Sequence, residues 1–448
     1  MSDYQAPPSE PAPALPRGPW TNRVTFSNAE DGLPFAYRPH QVLTTRVDEA
    51  LGVAADFAPD LRVEGRLGPF ARLVEVPDPI RLVEELRLRG IVAQLNHVYF
   101  SHDSVFASPV YGSPVYGSPV YGSPVYGSPV YGSPVYGSPV YGSQSSGAPV
   151  TGGRHVGPTR STARPPRPHT RTAGIAHRIH TALAEGSPHV FVLDTGLAHP
   201  DNRPPIMDGG SITAASGLDL DQPDEDADQY LDPAAGHGTF IAGVIAQVAP
   251  GCQISLHRVL STFGDGDEWA VVNALESLPI VEPERTIVSL SFGGYVLDHP
   301  HAMAWALRKL HQGGVQVVAS AGNDATSRPA FPAALPGVIG VGAIGPSGPA
   351  PFTNYGPWVS ACAPGTDLLS TFFVFNGPAI IGPDGTDPDD FAGWALWSGT
   401  SFSGPVVVGN LARMMMLEQT SGHAAVRRVL DPVAYMRIPN LGTVVNTM

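Results

Sequence analysis

The sequence predicts an α/β protein: a mostly parallel sheet with helices on both faces, preceded by a small α+β domain and a long low-complexity linker. Two observations indicate this organisation. Apolar residues are concentrated after residue 187, in short runs that are typical of buried strands and helices. Ahead of them, residues 35–103 carry a compact β-α-β-α-β pattern, and residues 104–186 are rich in proline, glycine and serine. In a sheet of this class, a functional site is expected at the carboxyl ends of the strands.

Composition excludes several classes of protein. The chain has 448 residues, enough for two domains and linkers, and a formal net charge of −14, which argues against nucleic acid or an anionic membrane as a partner. No stretch reaches the roughly 18 apolar residues that a membrane span needs. Residues 1–20 lack the basic and apolar parts of a signal peptide. We therefore expect a cytoplasmic protein, with export without a leader as the alternative.

The N-terminal part divides into a disordered segment, residues 1–34, and a small domain, residues 35–103. One helix of this domain has complete terminal signals, because Asp78 can cap it, Pro79 suits its first position and Gly90 follows its end. The predicted elements are a strand Gln41–Arg46, a helix Val47–Phe57, a strand Phe70–Val76, the helix after Asp78 and a strand Ile91–Phe100, with one more strand near Leu61–Val63 left open.

A five-residue repeat, Ser-Pro-Val-Tyr-Gly, runs without interruption from Ser108 to Gly142 in seven copies. Proline in every copy excludes a regular helix and a central strand, and glycine in every copy loosens the chain. A low-complexity spacer is the favoured interpretation. Two alternatives stay open: the evenly spaced tyrosines are a multivalent docking tract, or the repeats are peptides released by a protease.

The linker continues from residue 143 to about 180 and becomes basic, since it contains arginines but no acidic residue. An arm that binds nucleic acid is conceivable. Because the whole chain is acidic, we favour a solvated linker that is open to proteolysis.

Residues 397–405 contain a serine that is suited to nucleophilic chemistry. Ser401 comes just before the apolar run Val406–Met416, which predicts a buried helix with the serine at its N-terminus. Backbone N–H groups and the positive end of the helix dipole would stabilise an oxyanion there. Pro405 falls in the first turn, where its missing N–H does little harm. Gly399 allows a tight turn next to a substrate.

A nucleophilic serine needs a base, and the base needs an orienting group. Asp194 ends the apolar run Val190–Leu193, which predicts a buried strand with a carboxylate at its end. His237 stands at the start of an apolar stretch that reaches Val248 and predicts a helix. Each polar group is thus expected at the end of a buried element.

These three motifs resemble those of the subtilisin family of serine proteases. The resemblance lies in Asp194–Gly196 with His199–Asp201, in Gly236–Thr239 with Ala242–Gly243, and in Gly399–Ser401 with Pro405. The order Asp, His, Ser along the chain is also the subtilisin order. The match covers residues 187–448 and implies a subtilisin-like peptidase domain with Asp194, His237 and Ser401 as its catalytic residues.

The resemblance also implies residues around the triad. The strand Val315–Asn323 is similar to the family strand that ends in an oxyanion-hole asparagine, so Asn323 is expected in that role. Two segments are expected to bind substrate: Ser291, Phe292, Gly293 and Ser320, Ala321, Gly322. The sequence departs from the usual family pattern at Phe240, Phe402, Ser403 and Val406, none of which is a triad or oxyanion position.

The expected reaction is hydrolysis of peptide bonds in peptide or protein substrates through an acyl-enzyme. The resemblance implies that residues 35–103 are a ferredoxin-like prodomain. Such a prodomain assists folding of the peptidase domain and then binds to it and blocks its active site. Self-cleavage is expected between Ser101 and Gly186. Three alternatives remain: an unrelated small binding domain at 35–103, a pseudoprotease that binds peptides without turning them over, and a scaffold or precursor organised around the repeats.

A metal and a disulfide are both open questions at this level. The mechanism requires no cofactor and no metal. The acidic run between Asp194 and His237 could bind calcium, although it lacks EF-hand spacing, or could attract a basic segment. Cys252 and Cys362 are expected to be buried thiols. The run comprises Asp219, Asp221, Asp224, Glu225, Asp226, Asp228 and Asp232.

Overall fold

A computed structural model describes residues 23–28, 34–55, 58–101, 163–164, 173–208, 210–377 and 390–446. The predictions for residues 1–22 and for the repeats, residues 108–142, lie outside the described residues. The prediction of disorder for residues 1–34 is wrong at Thr25–Asn28, which form a strand because they pair with residues 34–37.

The N-terminal domain is a four-stranded antiparallel sheet with two helices and one added strand. Its strand order is β3-β4-β2-β5, with β1 paired to β2, and this β-α-β-β-α-β arrangement is ferredoxin-like. The strand near Leu61–Val63 is therefore present. The elements are β1 (Thr25–Asn28), β2 (Pro34–Thr44), α1 (Val47–Ala54), β3 (Arg62–Leu67), β4 (Phe70–Val74), α2 (Pro79–Leu88) and β5 (Ala93–Ser101).

Strand β2 begins earlier than the predicted Gln41. Pro39 and a left-handed His40, with φ of 60°, lie at an irregularity where the register against β5 shifts. Proline is tolerated at such a bulge because the ladder is already interrupted there. The predicted cap of α2 is present, since Asp78 accepts a hydrogen bond from Arg81 N at 3.0 Å.

The C-terminal domain contains the remaining described helices and strands. Its helices are α3 (Ala173–Ile179), α4 (His237–Val248), α5 (Glu268–Ser277), α6 (His301–Gln312), α7 (Thr400–Glu418) and α8 (Gly422–Val429). Its strands are β6 (His189–Asp194), β7 (Leu197–Ala198), β8 (Ile212–Ala214), β9 (Leu220–Asp221), β10 (Gln253–Arg258), β11 (Asp265–Asp267), β12 (Thr286–Leu290), β13 (Phe292–Gly293), β14 (Gln316–Ser320), β15 (Val338–Gly345), β16 (Gly348–Pro349), β17 (Val359–Pro364), β18 (Leu368–Asn376), β19 (Asp390–Trp397), β20 (Arg437–Ile438) and β21 (Gly442–Val444).

The predicted fold class is confirmed by a central sheet of order β20-β21-β17-β15-β14-β12-β6-β10-β8. Pairing is parallel from β21 to β8, and only β20 and the short β16 run antiparallel to their neighbours. The inner strands β6, β12 and β14 are buried along nearly their whole length, as expected for a parallel sheet covered on both faces. Their carboxyl ends meet at one edge, which carries Asp194 and Ser320.

Part of the predicted linker packs against this domain. Residues 173–179 form α3, and Ile179 at its end is buried in the main apolar cluster. Arg164 forms a bridge with Leu396 and an ion pair with Asp367. The sequence signal there was weak because the segment has few apolar residues.

The two domains share a buried interface. Gln94 and Asn96 of β5 accept hydrogen bonds from the N-terminal N–H groups of Ala302 (2.9 Å) and Trp269 (3.0 Å), so β5 satisfies backbone donors of α6 and α5. Between these two helices lies the buried carboxylate of Glu268, which is held by His97 Nδ1 and by the Tyr99 hydroxyl, both at 3.1 Å.

Both cysteines are free and buried, as predicted. Burial raises the pKa of each thiol to about 12, so neither is a reactive thiolate near neutral pH. Within the described ranges, none of the helices has the length and hydropathy needed to cross a membrane.

Candidate active site

A buried carboxylate and a histidine meet at the carboxyl end of β6. Asp194 is the last residue of β6 and His237 is the first residue of α4, and both side chains are fully buried. His237 Nδ1 lies 2.7 Å from Asp194 Oδ1, which also accepts the N–H of Thr195 at 2.8 Å. With Nδ1 donating to the carboxylate, Nε2 is the ring nitrogen that can serve as a base.

Ser401 is the second residue of α7, a largely buried helix of 19 residues, as the apolar run predicts. Its hydroxyl donates to Ser291 O at 3.2 Å, and the Ser291 hydroxyl donates to Ser401 O at 2.8 Å. The approach to the helix differs from the expectation. The backbone at Gly399 is extended instead of tightly turned. The close backbone approach here is between Gly365 and Gly399, because a Cβ at Gly365 would lie 2.9 Å from Gly399 O.

An aromatic cluster encloses the histidine. The ring of His237 lies 5.5 Å from Trp397 in an edge-to-face arrangement and 5.3 Å from Phe402, and Phe402 lies 4.6 Å from Phe240. Two of the four positions that depart from the usual family pattern, Phe240 and Phe402, therefore contact each other. The large apolar surfaces of these two rings shield the His237 ring from water. Sequence reasoning missed Trp397 as a partner of the histidine.

Asn323 is held at the N-terminus of α7 by the residue before the serine. Thr400 donates both its N–H and its hydroxyl to Asn323 Oδ1, each at 2.9 Å. The Thr400 hydroxyl in turn accepts the N–H of Gly322 at 3.0 Å. Because two donors fix the amide oxygen, the orientation of the amide is determined and Nδ2 is its donor end. Thr400 was recognised in the sequence only as part of a motif, not in this role.

Asp221 is a buried residue to which the sequence analysis assigned no role beyond membership of the acidic run. Its Oδ2 accepts the Thr195 hydroxyl at 2.7 Å and the N–H of Gly236 at 2.9 Å, and the Thr195 hydroxyl accepts the N–H of Gly238 at 3.1 Å. It thereby ties the segment after Asp194 to both neighbours of His237. Burial raises the pKa of Asp221 to about 7, although these hydrogen bonds oppose the shift.

Replacing Asp221 with Asn is expected to flatten the pH dependence of the free energy of unfolding. Its folded pKa of about 7 lies above the ordinary value of 3.8, so between these values the folded state keeps a proton that the unfolded state has lost. This contribution to stability is fully present below the unfolded pKa and is lost as pH rises through the folded pKa. One such proton gives a slope of about −1.4 kcal/mol per pH unit.

This slope can be measured by urea unfolding at about pH 5 and about pH 6, with both proteins in a Ser401→Ala background that prevents self-cleavage. The Asp221→Asn protein should lose less stability between the two conditions. Identical losses would contradict the raised pKa of Asp221.

The segments predicted to bind substrate lie around Ser401, and two of their residues pair with β5. Phe292 and Gly293 form an antiparallel pair with Ser101 and Phe100. On the other side of β5, Asp265–Asp267 pair with residues 98–100, and Ser101 donates its N–H to Gly264 O at 2.8 Å. The end of β5 is therefore the middle strand of three. Ser320, Ala321 and Gly322 are buried at the end of β14, and Ser291 contacts Ser401 directly.

The acidic run is not simply a solvated surface. Oxygen atoms of Asp224, Asp226 and Asp232 lie within 4.8 Å of one another, and Asp232 is buried with its pKa raised to about 7 by burial. Asp232 accepts hydrogen bonds from Thr262 and from Glu225 N. Calcium binding at this cluster stays a prediction.

A model of the subtilase family of peptidases matches residues 186–436, more than half of the chain. A probable subtilase-type serine protease of Deinococcus radiodurans is 30% identical over 271 residues, which are 55% of this chain and 36% of that protein. Subtilisin NAT of Bacillus subtilis subsp. natto is 28% identical over 261 residues, 55% of this chain and 60% of that protein.

Among solved structures, a cold adapted subtilisin-like serine proteinase is similar, with a TM-score of 0.44 and 25% identity, over 58% of this chain and 88% of that chain. This chain spans between about a third and three fifths of the length of the curated relatives named above. The match of the family model over residues 186–436 identifies the chain as a member of the subtilase family.

Proposed function

We propose that this chain is a serine endopeptidase that hydrolyses peptide bonds of peptide or protein substrates through an acyl-enzyme. The observation that carries the proposal is the buried 2.7 Å contact between His237 Nδ1 and Asp194 Oδ1, on the same edge of the sheet as Ser401. Membership of the subtilase family supports the same reaction. The proposed chemistry uses side chains and backbone of this chain alone and requires no cofactor.

Each residue has a defined role in the proposed mechanism. His237 Nε2 takes the hydroxyl proton of Ser401 as the oxygen attacks the substrate carbonyl, and it later returns the proton to the leaving amine. Asp194 keeps the proton of Nδ1 in place and stabilises the imidazolium. The amide Nδ2 of Asn323 and the N–H of Ser401 donate to the oxyanion.

The proposal includes self-processing, with the N-terminal domain as an inhibitor of the uncleaved chain. Residues 98–101 of β5 pair on both sides with strands of the C-terminal domain, in the manner of an extended peptide that adds a strand. Ser101 lies opposite Phe292, so the described pairing ends one position before Ser291. Since Ser291 O accepts the Ser401 hydroxyl, we expect the cut within one or two residues after Ser101.

Intact mass of the purified wild type and of Ser401→Ala, after the same incubation, tests the proposal. The wild type should lose an N-terminal fragment of about 100 residues, and Ser401→Ala should stay whole. A fluorophosphonate probe should label only the wild type.

Two results would contradict the proposal. If Ser401→Ala were cut as fast as the wild type, the cleavage would come from another protease. If the wild type stayed whole and also failed to react with the probe, the chain would be a pseudoprotease that has kept the fold.

A further inference from the structure

Three of the four residues that end β5 recur in the repeats. Residues 98–101 read Val-Tyr-Phe-Ser, and each of the seven repeats, together with the serine that follows it, reads Val-Tyr-Gly-Ser. The two sequences differ at one position, which holds Phe100 in β5 and glycine in the repeats. The segment that lies in the cleft, defined here as the space between β11 and β13, is thus followed by seven near copies of itself.

Tyr99 is the large side chain of this segment that faces the C-terminal domain. It is fully buried, its ring lies 6.1 Å from that of Phe292, and its hydroxyl donates to Glu268 Oε2 at 3.1 Å. A Cβ at Gly294 would lie 3.2 Å from Val98 O, so this glycine allows the backbone of the segment to approach closely. Buried tyrosines are enriched among the side chains that dominate the binding energy of an interface, and the hydrogen bond to Glu268 satisfies the buried hydroxyl.

Phe100, the one residue that the repeats do not keep, faces the opposite way. It packs with Val24, Ala36 and Phe26, all in the N-terminal domain, because successive side chains of a strand point to opposite faces. Replacing it with glycine removes contacts within the N-terminal domain and none with the Tyr99 pocket. Within these four positions, the repeats keep the tyrosine that contacts the C-terminal domain and omit Phe100, which does not contact it. The position before them differs as well, because His97, whose Nδ1 lies 3.1 Å from Glu268, is replaced by proline in the repeats.

We propose that the repeats, residues 108–142 with Ser143, are ligands of the chain's own cleft, in which each repeat tyrosine can take the place of Tyr99 against Glu268 and Phe292. This inference rests on the proposed function, since it assigns a ligand to the proposed substrate cleft. Seven tethered copies raise the local concentration of the ligand, so the tract competes with substrate after the N-terminal domain has been cut away.

The register also explains why a repeat in this position would bind without being cut. A repeat serine in the place of Ser101 would donate its N–H to Gly264 O, as Ser101 does, so the N–H of the following residue would point to the other side, towards Ser291. In every repeat unit except the last, that following residue is proline. Proline has no N–H to donate, so the peptide loses a ladder hydrogen bond at the position next to Ser401.

Fluorescence anisotropy of labelled peptides tests this ligand. The protein contains both domains and carries three changes. Ser401→Ala prevents hydrolysis, Tyr99→Ala weakens the binding of β5 in the cleft, and residues 108–142 are deleted so that the tethered repeats do not compete. The probes are Ser-Pro-Val-Tyr-Gly-Ser-Pro, the same peptide with alanine or phenylalanine for tyrosine, and His-Val-Tyr-Phe-Ser as a positive control. We expect the tyrosine peptide to bind at least about tenfold more tightly than the alanine peptide.

A change at Glu268 separates the hydroxyl contact from the packing of the ring. Glu268→Gln should weaken binding of the tyrosine peptide several-fold and leave the phenylalanine peptide unchanged. Should Tyr99→Ala fail to fold, the self-processed wild type replaces it, and the tyrosine peptide should slow the labelling of Ser401 by a fluorophosphonate while the alanine peptide should not.

Other outcomes would overturn the inference. Equal binding of the tyrosine and alanine peptides would contradict the role of the tyrosine. Binding of His-Val-Tyr-Phe-Ser without binding of the repeat peptide would also overturn the inference, but it would leave the proposed function intact. Cleavage of the repeat peptide after tyrosine by the wild type would place that residue beside Ser401 and contradict the register. Failure of every peptide to bind, with no labelling of the wild type, would contradict both proposals.

Discussion

His237→Ala is expected to slow self-processing by about six orders of magnitude, which is the loss of turnover measured on subtilisin when its catalytic histidine is removed. Without the imidazole, no group is placed to take the proton of the Ser401 hydroxyl, and a neutral hydroxyl is a weak nucleophile. The rate constant comes from intact mass at successive times after synthesis. Over any practical incubation, His237→Ala should remain uncut.

Controls separate this chemical loss from a loss of structure. Because His237 packs against Trp397 and Phe402, alanine leaves a cavity, so thermal unfolding of the variant should be measured alongside. His177→Ala removes an exposed histidine of α3 and should process at the wild-type rate. Asp194→Asn should lose about four orders of magnitude, less than His237→Ala, because the imidazole is still present. Processing of His237→Ala at the wild-type rate would refute its role as the base.

Asn323→Ala is expected to lower turnover about 100-fold to 1,000-fold. The amide Nδ2 would donate to the oxygen that becomes charged as Ser401 attacks, and a figure measured on subtilisin attributes about 2.7 to 4 kcal/mol to such a donor. Since the interaction forms only in the transition state, kcat should fall while KM changes little. The measurement is steady-state hydrolysis of a chromogenic peptide by the self-processed proteins.

A matched variant distinguishes the donor from the fold. Asn323→Asp keeps an oxygen acceptor for the N–H and hydroxyl of Thr400, but it has no amide to donate. It should lose at least as much turnover as Asn323→Ala, because a carboxylate would also repel the oxyanion. If Asn323→Asp kept wild-type kcat with a normal unfolding curve, Asn323 would have no part in stabilising the transition state.

Much of the fold and of the candidate site follows from local sequence. The strand that ends at Asp194 and the helices that begin at His237 and near Ser401 each depend on a short apolar run with a polar residue at its end, and the structure contains all three elements. The cap of α2 at Asp78 is local in the same way. Strand boundaries were less predictable, since β2 continues through Pro39 at a bulge that depends on its pairing with β5.

The sequence by itself determined the fold class, the order of the three motifs and the burial of the elements that carry them. Only the tertiary structure decided which residues surround them: Asp221 between the Asp194 and His237 segments, Thr400 on Asn323, and β5 between β11 and β13. These contacts join residues from 15 positions apart, as with Asp221 and Gly236, to 193 positions apart, as with Phe100 and Gly293. Local patterns report which face of a strand or helix is buried, but the partner of a buried polar group depends on how distant elements pack.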